Sequence, residues 1–112
     1  MTVQVSLDPT ATPPVTVQPP IHAVNQGNHT VTWEPAANQQ FTFKSLSFAN
    51  NPSCFGTPTI VDAKVTVTDN NPANGTETDY PYTLVVTSNG QDYSSGGAGI
   101  GADPGSSIIK NK

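Results

Sequence analysis

Val61-Asp62-Ala63-Lys64-Val65-Thr66-Val67-Thr68 places an apolar residue at every second position. That period sends successive side chains to opposite faces of an extended strand. It predicts a strand with Val61, Ala63, Val65 and Val67 toward a core and with Asp62, Lys64, Thr66 and Thr68 toward water. The same alternation recurs on both sides of this stretch. Upstream, Val3, Val5 and Leu7 open the chain, and Val15 and Val17 follow between Pro13-Pro14 and Pro19-Pro20. Proline removes ladder donors, so the Val15–Val17 strand is expected at a sheet edge. Val31 and Trp33 alternate with Thr30, Thr32 and Glu34 until Pro35 ends the run, and Trp33 is expected at the centre of the core. Phe41, Phe43, Leu46 and Phe48 shift face by one residue near Lys44 and Ser45, which a β-bulge would reconcile.

Downstream, Asp69 to Asp79 reads as a turning loop with Asn74-Gly75 supplying positive φ angles, and Tyr80, Tyr82, Leu84 and Val86 then share one face. Ser88-Asn89-Gly90 reads as a hairpin turn, and a last strand is expected over Ser106 to Lys110, after Asp103-Pro104-Gly105. No segment carries a helical period. About seven short, turn-punctuated strands make an all-β chain, and an immunoglobulin-like Greek-key β-sandwich is the economical arrangement. A chain of 112 residues has the length of one domain, expected to span residues 1–112. Tyr82 stands near the start of its strand, either as a tyrosine-corner residue bonded to backbone just upstream or as an ordinary amphipathic core residue.

Composition excludes several classes of function. Four Lys, no Arg and eight acidic residues give an acidic chain of net charge −4, with cations too few and scattered to follow a phosphate backbone. Nucleic acid is therefore not an expected partner. Charged residues make up only 11% of the chain, so Thr, Ser, Asn and Gln must cover most of the surface. The single cysteine, Cys54, has no partner for an internal disulfide, which points toward a reducing, cytoplasmic location. The first residues carry no basic segment followed by a long apolar run, so neither a signal peptide nor a membrane anchor is expected there.

The chain holds a blue-copper inventory in His22, His29, Cys54 and Met1, but no His or Met follows Cys54, and copper is not expected. Asp69, Asn70, Asn71, Asn74, Glu77 and Asp79 gather oxygen donors near one turn without EF-hand spacing, so calcium is not expected either. Gly96-Gly97-Ala98-Gly99-Ile100-Gly101 lacks the helix and the Lys of a phosphate cradle and reads as a flexible loop between Tyr93 and Asp103. There is no Gly-x-Ser-x-Gly or His-Glu-x-x-His signature, and no catalytic residue is expected. These exclusions leave a soluble, non-catalytic module that interacts with a protein or with itself, without cofactor, metal or membrane. A small-ligand or carbohydrate-binding module using Tyr80, Tyr93 or Phe55 is one alternative, and a cryptic hydrolase joining a His to a carboxylate is another.

Trp33-Glu34-Pro35, Asp103-Pro104 before Ile108-Ile109, and Tyr80-Pro81-Tyr82-Thr83-Leu84-Val85-Val86-Thr87 together resemble a small bacterial family named for its Asp-Pro and Glu-Pro motifs. The resemblance implies an immunoglobulin-like or cupredoxin-like sandwich. It implies no activity, substrate or site residue.

Overall fold

Most of the period-two alternation becomes strand in a computed structural model that describes residues 2–11, 14–18, 20–48, 52–61, 63–71, 77–95 and 107–112. The strands are β1 (Thr2–Leu7), β2 (Val15–Gln18), β3 (Ile21–Val24), β4 (Gly27–Pro35), β5 (Thr42–Phe48), β6 (Thr59–Val61), β7 (Lys64–Asn71), β8 (Thr78–Ser88), β9 (Gln91–Ser94) and β10 (Ile108–Asn111). The described residues thus form ten strands, not about seven, and no helix. They build two sheets, ordered β2-β1-β4-β7-β6 and β3-β10-β8-β5, with β9 also paired to β8. Both sheets are mixed: β1 runs parallel to β4 and β10 parallel to β3, while the other pairs are antiparallel.

One of the added strands has a readable cause. The opening stretch is a hairpin: Val61 on β6 pairs with Lys64 on β7, and Ala63 lies in the turn. Directly paired residues share a face, so Val61 points outward with Lys64 and is 63% exposed. The alternation runs across the turn by coincidence, which made two strands look like one. The loop at Asp69 is also shorter than expected, because β7 continues to Asn71 and β8 begins at Thr78. Asn74-Gly75, Asp103-Pro104-Gly105 and the glycines from 96 to 101 lie outside the described residues.

The core forms between the sheets. Val3, Val5, Val31, Trp33, Val65 and Val67 face inward from the first sheet, and Phe43, Leu46, Phe48, Tyr82, Leu84 and Ile109 from the second. Trp33 is fully buried at their contact, as expected. Its ring meets Tyr82 edge to face at 5.3 Å and 75°, and its Nε1 donates to the Tyr82 hydroxyl at 3.0 Å. β2 lies at a sheet edge, as the flanking prolines required. The β5–β8 register shifts between Phe43 and Ser45, so the bulge at Lys44 brings both apolar pairs to one face. Asn89 (φ 52°) and Gly90 (φ 77°) join β8 to β9 with the two positive φ angles of a type I′ turn.

β9 and β10 lie end to end beside β8. Ser95 N donates to Leu84 O and Tyr82 N donates to Ser107 O, two rungs on the same side of β8. The β8–β9 and β8–β10 registers are offset from one another by ten residues.

Candidate functional site

The inward positions of β7 and β10 change character toward one end of the sandwich. Val65 and Val67 are followed in phase by Asp69 and Asn71, and Ile109 is followed by Asn111. All three polar side chains are buried, Asp69 fully and the two Asn at 3% exposure. A buried polar group is costly unless hydrogen-bonded, so each needs a partner. Asn71 Nδ2 donates to Val24 O at 3.0 Å and to Lys112 O at 3.1 Å, closing the ends of β3 and β10. Asn111 Nδ2 donates to Asp69 Oδ1 at 3.0 Å, which ties one sheet to the other, and it lies 3.6 Å from Cys54 Sγ.

Cys54 is brought in by the segment before β6. Asn70 N donates to Cys54 O, Gly56 N donates to Thr68 O, and Phe55 bridges Asp69, so residues 54–56 run along β7. Phe55 stacks on Phe48 at 3.8 Å and meets Tyr80 edge to face at 5.2 Å, roofing the cluster. The Tyr80 hydroxyl bonds with the Cys54 thiol. Burial pushes the Cys54 thiol above its ordinary value, opposed by the Tyr80 bond and reinforced by the Asp69 charge. A thiol held neutral in this way is not an activated nucleophile. Burial likewise raises the Asp69 carboxyl, against the Asn111 bond and the nearby His29. Asp69 Oδ2 and Asn111 Oδ1 are buried without a hydrogen-bond partner among the described residues.

The residues singled out in the sequence are distributed differently. His22 sits on edge strand β3, its ring held below the usual value by burial. His29 sits on β4 with Nε2 3.2 Å from Gln26 O. Cys54 is in the cluster just described, and Met1 lies outside the described residues. The oxygen donors grouped for calcium separate, because Asp69 and Asn71 turn into the sandwich while Asn70, Glu77 and Asp79 are exposed and Asn74 is outside the described residues. No group of three or more His, Cys, Asp or Glu side chains among the described residues could hold a metal ion. Tyr80, Tyr93 and Phe55 are not free aromatic platforms: all three are half-buried and packed on the core. Among the described residues the Tyr82 hydroxyl has no bond to backbone just upstream. That group takes Trp33 Nε1 from the opposite sheet and also bonds Ser107.

Sequence reasoning missed Asn111 and the inward placing of Asp69 and Asn71. The readable signal was their phase, since each continues the buried face of its strand. No helix among the described residues is long and apolar enough to cross a membrane. No protein-family model matches the chain, and no curated protein matches it.

Proposed function

We propose that the chain is an immunoglobulin-like Greek-key module that works without catalysis, by docking another protein chain along the free edge of its first sheet. Strand order supports the fold reading. With β9 and β10 counted as one interrupted strand, β3 through β10 supply seven strands. β4, β7 and β6 then hold the places of the second, fifth and fourth strands of an immunoglobulin-like domain, and β10, β8 and β5 those of the seventh, sixth and third. The β1–β2 hairpin is an addition to that frame. Glu34-Pro35 at the end of β4 is in keeping with the bacterial family named for its Asp-Pro and Glu-Pro motifs.

The observation that carries the functional reading is the position of the exposed apolar side chains. Among the described residues three large apolar side chains are exposed, Ile21 at 50% on the edge strand β3 and, side by side on β6, Val61 at 63% and Ile60 at 38%; β6 alone carries two, and its outer ladder edge has no partner strand among the described residues. A short apolar edge offers backbone donors and acceptors together with side-chain anchors, the elements of strand-addition recognition. Its three-residue length and the preceding Pro58 limit open-ended pairing, which favours a defined partner over aggregation.

Affinity purification from the source cell with the wild-type chain and with an Ile60→Lys/Val61→Lys variant tests this reading. A partner held by the wild type and lost with the variant, at unchanged melting temperature, is the expected result. A partner held equally by both would remove β6 from the interface.

A further inference from the structure

The buried link between the sheets is short of hydrogen. Asn111 Nδ2 donates to Asp69 Oδ1 at 3.0 Å, yet Asp69 Oδ2 and Asn111 Oδ1 are both acceptors left without a donor among the described residues. The two side chains face each other from β7 and β10, each at least 97% buried by its 0% or 3% exposure. A carboxylate in that position leaves one oxygen buried and unsolvated, and the amide oxygen of its partner is buried without a donor as well. One proton on Oδ2 removes both costs. It neutralises the carboxyl and gives it the single donor that Asn111 Oδ1 lacks, closing a ring of two hydrogen bonds between a carboxylic acid and a carboxamide.

We propose that Asp69 carries this proton in the folded domain, so that its pair with Asn111 is a proton-dependent lock between the two sheets. The groups around it are consistent with a neutral acid. The segment before β6 contributes Cys54, and β8 contributes Tyr80. Both are weak acids whose own values burial raises. β10 contributes the uncharged Asn111. β4 contributes His29, the one group whose charge works against protonation, and its Nε2 is engaged near Gln26 O. The carboxyl is raised by burial above its ordinary value, so folding takes up a proton that the unfolded chain has already released over the pH range between the two values. The lock is complete at the acid end of that range. It loosens as pH rises through the folded value.

Carbon-13 NMR of the full chain reads the site directly. The Asp69 side-chain carboxyl is expected to titrate above the ordinary aspartate value, with the Asn111 side-chain amide protons shifting at the same midpoint. Asp69→Asn supplies a second readout, since an amide at position 69 can make both hydrogen bonds at any pH. This variant is expected to match wild-type melting temperature in acid and to exceed it above the folded midpoint. Titration of Asp69 at or below the ordinary aspartate value, Asn111 amide protons indifferent to that titration, or an Asp69→Asn chain less stable at every pH would each overturn the lock.

Discussion

Trp33 and Tyr82 join opposite sheets through one hydrogen bond and one ring contact, and both are nearly or wholly buried. Truncating Trp33 to Ala removes the largest buried side chain and leaves a cavity, at an expected cost of about 3–5 kcal/mol in denaturant melts. Tyr82→Phe keeps the ring but strands the Trp33 N–H, an expected loss of about 1–3 kcal/mol. The Tyr82 hydroxyl is pushed up from 10.0 to about 12 by burial, with the Trp33 and Ser107 bonds opposing. The folded chain therefore keeps a proton that the unfolded chain loses between those values. Stability should fall across that window by up to about 2–3 kcal/mol as pH rises. The Phe variant should lack this decline, as alkaline thermal melts can check. Trp33 was legible because alternation names the inward face of a strand. Its bonded partner, 49 residues away, was not, because a period says nothing about what faces a residue across the sandwich.

The β5 bulge makes a deletion informative. Lys44 is the extra residue between Phe43 and Ser45, and without it the strand would read Phe41, Phe43, Leu46 and Phe48 in unbroken alternation. Deleting Lys44 should leave a folded chain with a nearly unchanged urea midpoint, because the ion pair it loses with Asp92 is solvent-exposed. Deleting Ser47 instead turns Phe48 away from the core and should cost about 3–5 kcal/mol, both readable by urea titration. The interrupted last strand makes a second test. Replacing residues 96–106 by one residue would bring the β9 and β10 registers into line, and shorter loops close at lower entropic cost. A cooperative melt at the same or higher temperature is expected. Edge strand β2, the bulge and the Asn89-Gly90 turn were legible because Pro, a phase shift and positive-φ residues are local signals. The β6–β7 turn was not, because Ala63 carries no turn chemistry and the apolar pattern ran straight through it.

At the scale of the molecule, the all-β sandwich-like body follows from pattern alone, whereas the buried cluster needed the three-dimensional pairing of β7, β10 and the Cys54 segment. Asp69 and Asn111 lie 42 residues apart, and nothing local in either segment names the other. Most pairings in this fold are likewise distant in sequence. Chains dominated by such contacts refold in roughly milliseconds to seconds, the span expected in stopped-flow mixing. The one tryptophan of the chain adds something to that experiment. Trp33 belongs to the first sheet and its tyrosine neighbour, 5.3 Å away, to the second, so indole emission and tyrosine-to-indole energy transfer both change when the sheets meet. Fluorescence will time the closure of the sandwich, while far-ultraviolet dichroism times the pairing of strands, and any lag between the two signals measures how long the sheets exist before they join.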